Sequence, residues 1–236
     1  MTPEDAFFMI HDGLPREGPG EAADVAWAVD AAGTPAGARI CDAGCGPGGD
    51  LEALLTAVPE GHVTAVDLHP DFVEAVAARR LDRVDARQGD MAQLSGPYDL
   101  IWSAGALYFL DVTDGLVAWR DALAEGGAVA FSQLCYLVPN PPDEVRTFWQ
   151  RYPAMTDVAG VAGQVEAAGY ETLATRVLSD AAWEAYYRPL EEQIAALRPG
   201  ASAELAAVLD EEAVEIDLWR RHRRSFGYLL SVVRPA

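Results

Sequence analysis

The sequence predicts an α/β fold in which a parallel β-sheet carries helices on both faces. Between residues 22 and 133, segments with apolar residues at helical spacing alternate with short β-branched segments. Glycine and proline separate these segments, as is usual where strands and helices are joined by tight turns. Repeated strand–helix–strand units of this kind build sheets of parallel strands. A length of 236 residues suits one domain, so we expect a single domain over residues 1–236.

The elements of this alternation follow one another at short intervals. Val25 and Val29 stand at helical spacing in the first predicted helix, and Gly61 and Pro70 bound a β-branched strand. The predicted order is a helix at 22–32, a strand at 39–42, a helix at 50–58, a strand at 62–67, a helix at 71–80, strands at 83–88 and 99–103, a helix at 113–124 and a strand at 127–133.

The C-terminal third departs from the alternation. The sequence PNPP at 139–142 cannot continue a strand or a helix. The predicted elements after it are a helix at 156–168 and strands at 171–178 and 227–234.

Two segments are predicted to lie outside the sheet. Residues 179–226 carry two helical patterns, and so long a connection is uncommon in a compact domain unless it serves as a lid or binding element. We therefore expect residues 179–226 to form a helical lid insertion. Residues 1–21 are expected to form an N-terminal cap segment.

Composition and charge exclude several classes of function. The chain has 17 basic and 37 acidic residues and a formal net charge of −20, which opposes binding to nucleic acid or to an anionic membrane. Every basic residue other than histidine is arginine, so lysine chemistry is excluded. Three cysteines in no framework spacing indicate a reducing compartment, and no metal site is predicted. Without a signal peptide or spanning segment, we expect a cytoplasmic protein.

A glycine-rich turn joins the first predicted strand to the helix after it. The sequence CDAGCGPGG at Cys41–Gly49 allows close approach of the backbone to a ligand, and the helix N-terminus offers unpaired N–H groups. A structural turn without a ligand would also fit a lone glycine pair. The glycines also satisfy the dinucleotide-binding spacing, so the turn alone does not choose a cofactor.

Acidic residues stand at the ends of successive predicted strands. Asp42 precedes the first glycine of the turn, Asp67 ends the second strand, and Asp90 follows the third. An acid at the end of the second strand can hold both ribose hydroxyls, and one at the third can meet an adenine amino group. This pattern favours a nucleoside lying across the carboxyl edge of the sheet.

The order and spacing of four motifs resemble class I S-adenosylmethionine-dependent methyltransferases. These motifs are DAGCGPG, VDLHP, QGDM and YDLIWSAGALYF, and they lie between residues 38 and 134. LPREGPG, FWQRYPAM and FGYLL extend the resemblance over nearly the whole chain, to bacterial small-molecule methyltransferases of the type 11/25 group. Two positions depart from relatives that often carry acids there, namely Ala104 and Gln133.

The resemblance implies a fold, a cofactor and a set of binding residues. The fold would be a Rossmann-like, doubly wound seven-stranded sheet, mostly parallel with the last strand antiparallel. The cofactor would be S-adenosyl-L-methionine. The cofactor-binding residues would be Asp42, Gly44 and Gly46 at the methionine part, Gly48 supporting the turn, Asp67 at the ribose, Leu68 and Met91 against the adenine, Asp90 at the adenine amino group, and Ser103 facing the methionine.

Two residues are candidates for acid–base catalysis. Tyr108 follows the fourth strand, where an acceptor should lie, although it also fits a core aromatic residue of ALYFL. His11 could meet the acceptor if the N-terminal segment folds over the cofactor, and a surface or capping histidine is the alternative. Methyl transfer depends mainly on alignment of the reacting atoms, so the reaction does not require a base unless the nucleophile arrives protonated.

The sequence therefore predicts an S-adenosylmethionine-dependent methyltransferase that acts on a small-molecule acceptor. The alternatives are a non-catalytic module that binds S-adenosylmethionine or S-adenosylhomocysteine and, through the shared glycine spacing, an NAD(P)-dependent reductase. The basic run Arg220–Arg224 is either a solvated helix end or a patch for an acidic acceptor. A homodimer remains open.

Overall fold

Seven strands form one sheet in the computed structural model, which describes residues 2–236 apart from the side chains of Pro3, Glu4 and Phe7. The strands are β1 (Arg39–Ala43), β2 (His62–Asp67), β3 (Val84–Gln88), β4 (Tyr98–Ala104), β5 (Leu123–Tyr136), β6 (Tyr170–Val177) and β7 (Phe226–Pro235). Their order is β3-β2-β1-β4-β5-β7-β6. Neighbours from β3 to β5 pair in parallel, and β7 is antiparallel to both β5 and β6. The predicted architecture is confirmed.

Helices cover the sheet and extend beyond one edge of it. They are α1 (Pro3–His11), α2 (Ala22–Ala32), α3 (Leu51–Ala57), α4 (Pro70–Ala78), α5 (Val112–Trp119), α6 (Asp143–Phe148), α7 (Val158–Ala167), α8 (Asp180–Leu197) and α9 (Ala203–His222). Helices occur at each position where helical spacing predicts one. Two short helices were not predicted from the sequence, namely α1, which lies within the expected cap segment, and α6, which follows the PNPP sequence.

Each central strand is apolar on both faces because helices cover both sides of the sheet. In β4, Leu100 packs in one core cluster with α2 and α3, whereas the next residue, Ile101, packs in the other with α5 and α7. Ile40 and Cys41 of β1 divide between the same two clusters. Successive side chains of a strand point to opposite faces, so this double burial requires continuous apolar runs.

A third apolar cluster lies at the carboxyl end of β5. It joins Ile10 of α1, aromatic residues of α8 and α9, and Leu134 of β5. The rings of Trp183 in α8 and Trp219 in α9 stack with centroids 5.0 Å apart. Ser179 and Ser202 cap the two helices by accepting backbone N–H groups, which fixes where each begins. The helices of segment 179–226 are thus packed with α1 near the edge that carries the predicted site.

Candidate functional site

A cavity of about 670 Å³ opens at the carboxyl ends of β1, β2 and β4. In open α/β sheets, ligands bind in the crevice outside this edge. The cavity brings together most residues predicted from the motifs. Those that line it are Asp42, Gly44, Gly46, Asp67, Leu68, Asp90, Met91 and Tyr108.

The glycine-rich turn approaches the cavity closely because its glycines lack side chains. Gly44 has a φ of +73°, and a Cβ atom built on it would lie 2.5 Å from the Cβ of Ala106. The amides of Gly44 and Cys45 both donate to the carbonyl of Val66, at 2.9 and 3.1 Å, which holds the turn against β2. A side chain at Gly44 would therefore both strain the backbone and displace Ala106.

Asp67 connects the turn to the start of α4. Its Oδ2 accepts the Gly46 amide at 2.8 Å, and its Oδ1 accepts the His69 amide at 2.9 Å. These two bonds orient the carboxylate in the cavity wall, where a bound ribose would offer two hydroxyl donors. The arrangement fits the role that the resemblance implies for this residue.

Asp42 is buried at the floor of the cavity. Burial raises its pKa well above the ordinary value, and the nearby charges of Asp50 and Asp67 raise it further. A carboxyl in this position is poised to gain a partner, because a cation in the cavity would stabilise its ionised form. The methionine ammonium of the expected cofactor is a cation of that kind.

The predicted adenine end of the cavity is more open. Leu68 is 70% exposed and lies on the rim, where it is free to pack on a flat ring. Asp90 accepts the Ala92 amide at 2.8 Å through Oδ1 and begins the short helical turn that carries Met91. The geometry is compatible with an adenine between Leu68 and Met91, with Asp90 at its polar edge.

Two predicted residues support the site from behind it. The hydroxyl of Ser103 is buried and donates to the carbonyl of Ala43 at 2.9 Å, which ties β4 to β1. A Cβ atom on Gly48 would lie 2.6 Å from Leu51 and 2.9 Å from Val76. Among the described residues, neither belongs to the cavity lining. A direct role of Ser103 at the methionine stays a prediction.

The two predicted catalytic residues lie in different surroundings. Tyr108 lines the cavity, its ring centroid is 6.0 Å from that of Tyr152, and burial raises its pKa to about 12. His11 is 2% exposed, and its Nε2 lies 3.1 Å from the hydroxyl of Tyr186 in α8. Tyr108 is therefore placed where an acceptor could meet it, whereas His11 faces α8. Both catalytic roles stay predictions.

The segment LPREGPG forms one wall of the cavity, and the sequence analysis assigned no role to its charged residues. Arg16 bonds through Nη2 to Oδ1 of Asp50 at 2.8 Å and through Nε to the carbonyl of Gly18 at 2.7 Å. Trp102 of β4 donates to the other oxygen of Asp50 at 3.0 Å. Both sides of the Arg16–Asp50 pair are largely buried. The pair docks the N-terminal segment onto the glycine-rich turn.

Glu17 is the second residue that the sequence analysis missed. It lines the cavity beside Gly46, and its Oε1 is buried with no hydrogen-bond donor among the described residues. Burial raises its pKa to about 7, and the charge of Asp67 adds to the effect. A charged pair enclosed by proline and glycine in LPREGPG is the signal that could have drawn attention to this position.

Most of the basic run at the end of α9 is held in ion pairs. Arg220 makes four bonds to the carboxylates of Glu184 and Glu191 in α8, between 2.6 and 2.9 Å. Arg221 pairs with Asp217 at 2.8 Å and also with Glu144. The predicted alternative of a carboxylate-binding patch is therefore not favoured, because these guanidinium groups already have partners.

Two further properties concern the described residues only. No group of three or more histidine, cysteine, aspartate or glutamate side chains is arranged to hold a metal ion within residues 2–236. Over the same range, no helix combines the length and apolarity needed to cross a bilayer.

Comparison with known proteins confirms the family resemblance. Residues 40–127 match the family model described as a methyltransferase domain. The chain is similar to trans-aconitate 2-methyltransferase of Streptomyces avermitilis, with 39% identity over 105 residues, which cover 40% of this chain and 38% of that protein. The chain thus spans less than two fifths of the curated relatives it matches. By its motifs and fold, the chain resembles class I S-adenosylmethionine-dependent methyltransferases.

Solved structures of the same fold cover the whole chain. A methyltransferase from Geobacter sulfurreducens, crystallised with S-adenosyl-L-homocysteine, has a TM-score of 0.81 at 16% identity, covering 98% of both chains. The [4+2]-cyclase SpnF has a TM-score of 0.72 at 17% identity, covering 98% of this chain and 91% of that one. At such identities the likeness shows the fold alone. The second example carries the name of a different reaction, so the reaction has to be argued from the site.

Proposed function

We propose that the protein transfers a methyl group from S-adenosyl-L-methionine to a small-molecule acceptor. The observation that carries this proposal is the meeting of Asp67, Asp90 and the bare backbone at Gly44 in one cavity at the carboxyl edge of the sheet. A nucleoside needs carboxylate acceptors for its hydroxyl and amino groups, and the methionine part needs a surface without side chains. The curated relatives carry methyltransferase names, which supports the same activity.

Different residues of the chain would bind the cofactor and align the acceptor with it. When bound, S-adenosylmethionine supplies a methyl group already activated on a sulfonium. Asp67 would fix the ribose, and Asp42 would pair with the methionine ammonium. Tyr108 and the N-terminal wall would hold the acceptor against the methyl group and exclude water. Alignment of this kind can lower a barrier by roughly 7–11 kcal/mol.

The identity of this protein's acceptor is not inferred from the names of the relatives. Their match to this chain covers 40% of it, and the family model ends at residue 127, before the lid helices begin. A net charge of −20 favours a small molecule over nucleic acid. We further propose that residues 1–21 and 179–226 form the acceptor side of a single domain that acts in the cytoplasm.

Ligand-induced stabilisation tests the cofactor, and turnover tests the reaction. We expect S-adenosylhomocysteine to raise the melting temperature and NADH to leave it unchanged, since a ligand stabilises only the state it binds. Transfer of radiolabelled methyl to a component of a metabolite panel would then separate an enzyme from a non-catalytic module. A shift with NADH alone would contradict the proposal, and S-adenosylhomocysteine binding without any transfer would favour the non-catalytic module.

A further inference from the structure

The cavity wall nearest to the lid carries a carboxyl group and aromatic rings but little positive charge. Glu17 and Tyr108 line it together, and the ring of Tyr152 lies 6.0 Å from that of Tyr108. Tyr228 of β7 lies directly behind Gly105, a lining residue, because a Cβ atom on that glycine would be 3.6 Å from the tyrosine hydroxyl. These rings continue the cavity toward α8 and α9.

The lid adds two further carboxyl groups to this side. The hydroxyl of Tyr187 lies 3.1 Å from Oε1 of Glu215, and the rings of Tyr186 and Tyr187 are 5.4 Å apart. The charge of Glu215 helps to raise the pKa of Tyr108, Tyr186 and Tyr228, so these groups share one electrostatic environment. Burial raises the pKa of Glu212, one turn earlier on α9, to about 7.

Positive charge near this wall is already committed to other partners. Arg16 is the one arginine among the described lining residues, and it is bonded to Asp50. Arg151, whose charge opposes the pKa rise of Glu212 and Glu215, is paired with the exposed Glu211 and lies over the ring of Phe148 at 4.0 Å. An anionic acceptor would thus enter a region of like charge.

We propose that the acceptor is a cation, an amine that binds between the Glu17 carboxylate and the Tyr108 ring under the acidic lid. Aromatic faces and carboxylates together recognise ammonium groups, and desolvation strengthens both contacts. The buried Oε1 of Glu17 would gain the hydrogen-bond donor that it lacks. The inference rests on the proposed methyl transfer and names its class of acceptor.

A protonated amine has to lose a proton before it can react. Glu17 would accept that proton from the ammonium nitrogen, which frees the nitrogen lone pair. The nitrogen then forms a bond to the methyl carbon while the carbon–sulfur bond breaks and its electron pair stays on sulfur. Positive charge passes from sulfur to nitrogen, and the acidic wall continues to stabilise it. A pKa near 7 suits a group that is charged in one step and neutral in the next.

Pairs of ligands that differ only in charge test the inference. Choline and 3,3-dimethyl-1-butanol have the same shape, as do tyramine and 4-propylphenol, and trans-aconitate serves as the anionic probe. Binding is measured by calorimetry on protein saturated with S-adenosylhomocysteine, so that no transfer occurs. We expect the cation of at least one pair to bind about tenfold or more tightly than its neutral twin, and more tightly than trans-aconitate.

Substitutions then locate the cation. In protein saturated with S-adenosylhomocysteine, Glu17→Gln should weaken binding of the preferred cation about tenfold and leave its neutral twin unaffected. The control is Glu166→Gln on the exposed face of α7, which should change neither. Far-UV circular dichroism checks that each variant is folded.

The outcomes separate the two proposals. Protein that does not bind S-adenosylhomocysteine overturns the proposed function together with this inference. Protein that binds it but prefers trans-aconitate, or treats each cation and its neutral twin alike, overturns the amine acceptor alone. Cation preference that survives Glu17→Gln overturns the role of Glu17.

Discussion

Asp67 illustrates how a side chain that holds the turn could also serve the proposed ligand. Each of its oxygens accepts one backbone amide, from Gly46 and from His69, so the carboxylate is oriented before any ligand arrives. An oriented acceptor loses less conformational freedom on binding than a mobile one. The residue's place at the end of β2 is therefore matched by a local geometry that prepares it for two hydroxyl donors.

Replacing Asp67 by alanine should weaken binding of S-adenosylhomocysteine. The substitution removes two charge-assisted hydrogen bonds to the ligand, so we expect a loss of about 1.5–3 kcal/mol, measured by titration calorimetry. Asp82→Ala, on the exposed turn before β3, is the matched control and should bind like the parent protein. An Asp67→Ala variant that is folded and has the parent's affinity would show that the ribose lies elsewhere.

The N-terminal segment is the element on which the closed cavity depends. It contributes Phe8, Arg16, Glu17 and Gly18 to the lining, yet it lies outside the sheet. Its helix is held by packing of Ile10 in the third apolar cluster, and its loop by the buried pair between Arg16 and Asp50. In the loop beside the glycine-rich turn, a few buried polar contacts thus replace the strand pairing that fixes the rest of the site.

Breaking this attachment should loosen the segment more than the sheet. Arg16→Gln leaves the Asp50 carboxylate with Trp102 as its remaining side-chain donor, and removal of one partner of a buried pair typically costs about 3–5 kcal/mol. We expect faster hydrogen exchange at residues 14–20 and weaker S-adenosylhomocysteine binding, with exchange in β1 and β4 unchanged. Arg39→Gln, which removes an exposed pair with Asp99, is the control. Uniform loosening of both variants would contradict this division.

The whole molecule combines a high negative charge with acids that are partly withdrawn from water. Glu17 lies against Asp67, while Glu212 lies near Glu215 and is opposed by Arg151, and burial raises the pKa of both Glu17 and Glu212 to about 7. The native state therefore holds protons that the unfolded chain has already released. Between pH about 4.5 and 7, the contribution of these two groups to the free energy of unfolding therefore falls as the pH rises.

The raised pKa values of Glu17 and Glu212 predict the direction in which the melting temperature changes with pH. A Glu17→Gln, Glu212→Gln double variant removes the two groups that must ionise at a cost, so it should melt about 2–8 °C above the parent at about pH 8. The difference should shrink as the pH falls and disappear below about pH 4, where these carboxyl groups are protonated in both states. Glu166→Gln should follow the parent throughout. Parallel melting curves for the double variant and the parent at every pH would rule out raised pKa values at these positions.

The sequence was sufficient to predict the sheet and the part of the site that the strand ends form. The spacing of apolar residues and the positions of glycine and proline locate β1 to β4. Parallel strands bring their carboxyl ends to one edge of the sheet, so Asp42, Asp67 and Asp90 could be placed together. The pair of Arg16 with Asp50 joins residues 34 positions apart across two loops, and no periodicity reports such a contact. The bond between His11 and Tyr186 spans 175 positions and depends on how the helices outside the sheet pack.

Helix α1 touches two regions that are far apart in sequence. Phe8 lines the cavity that would hold the cofactor, and His11 bonds to Tyr186 beside the proposed acceptor wall. A molecule that changed the position of α8 would be expected to shift α1 and, with it, Phe8 in the cavity wall. Thermodynamic reciprocity then requires that donor and acceptor alter each other's affinity by the same factor. Cooperativity between the two substrates would then depend on α1, the helix that contacts both regions.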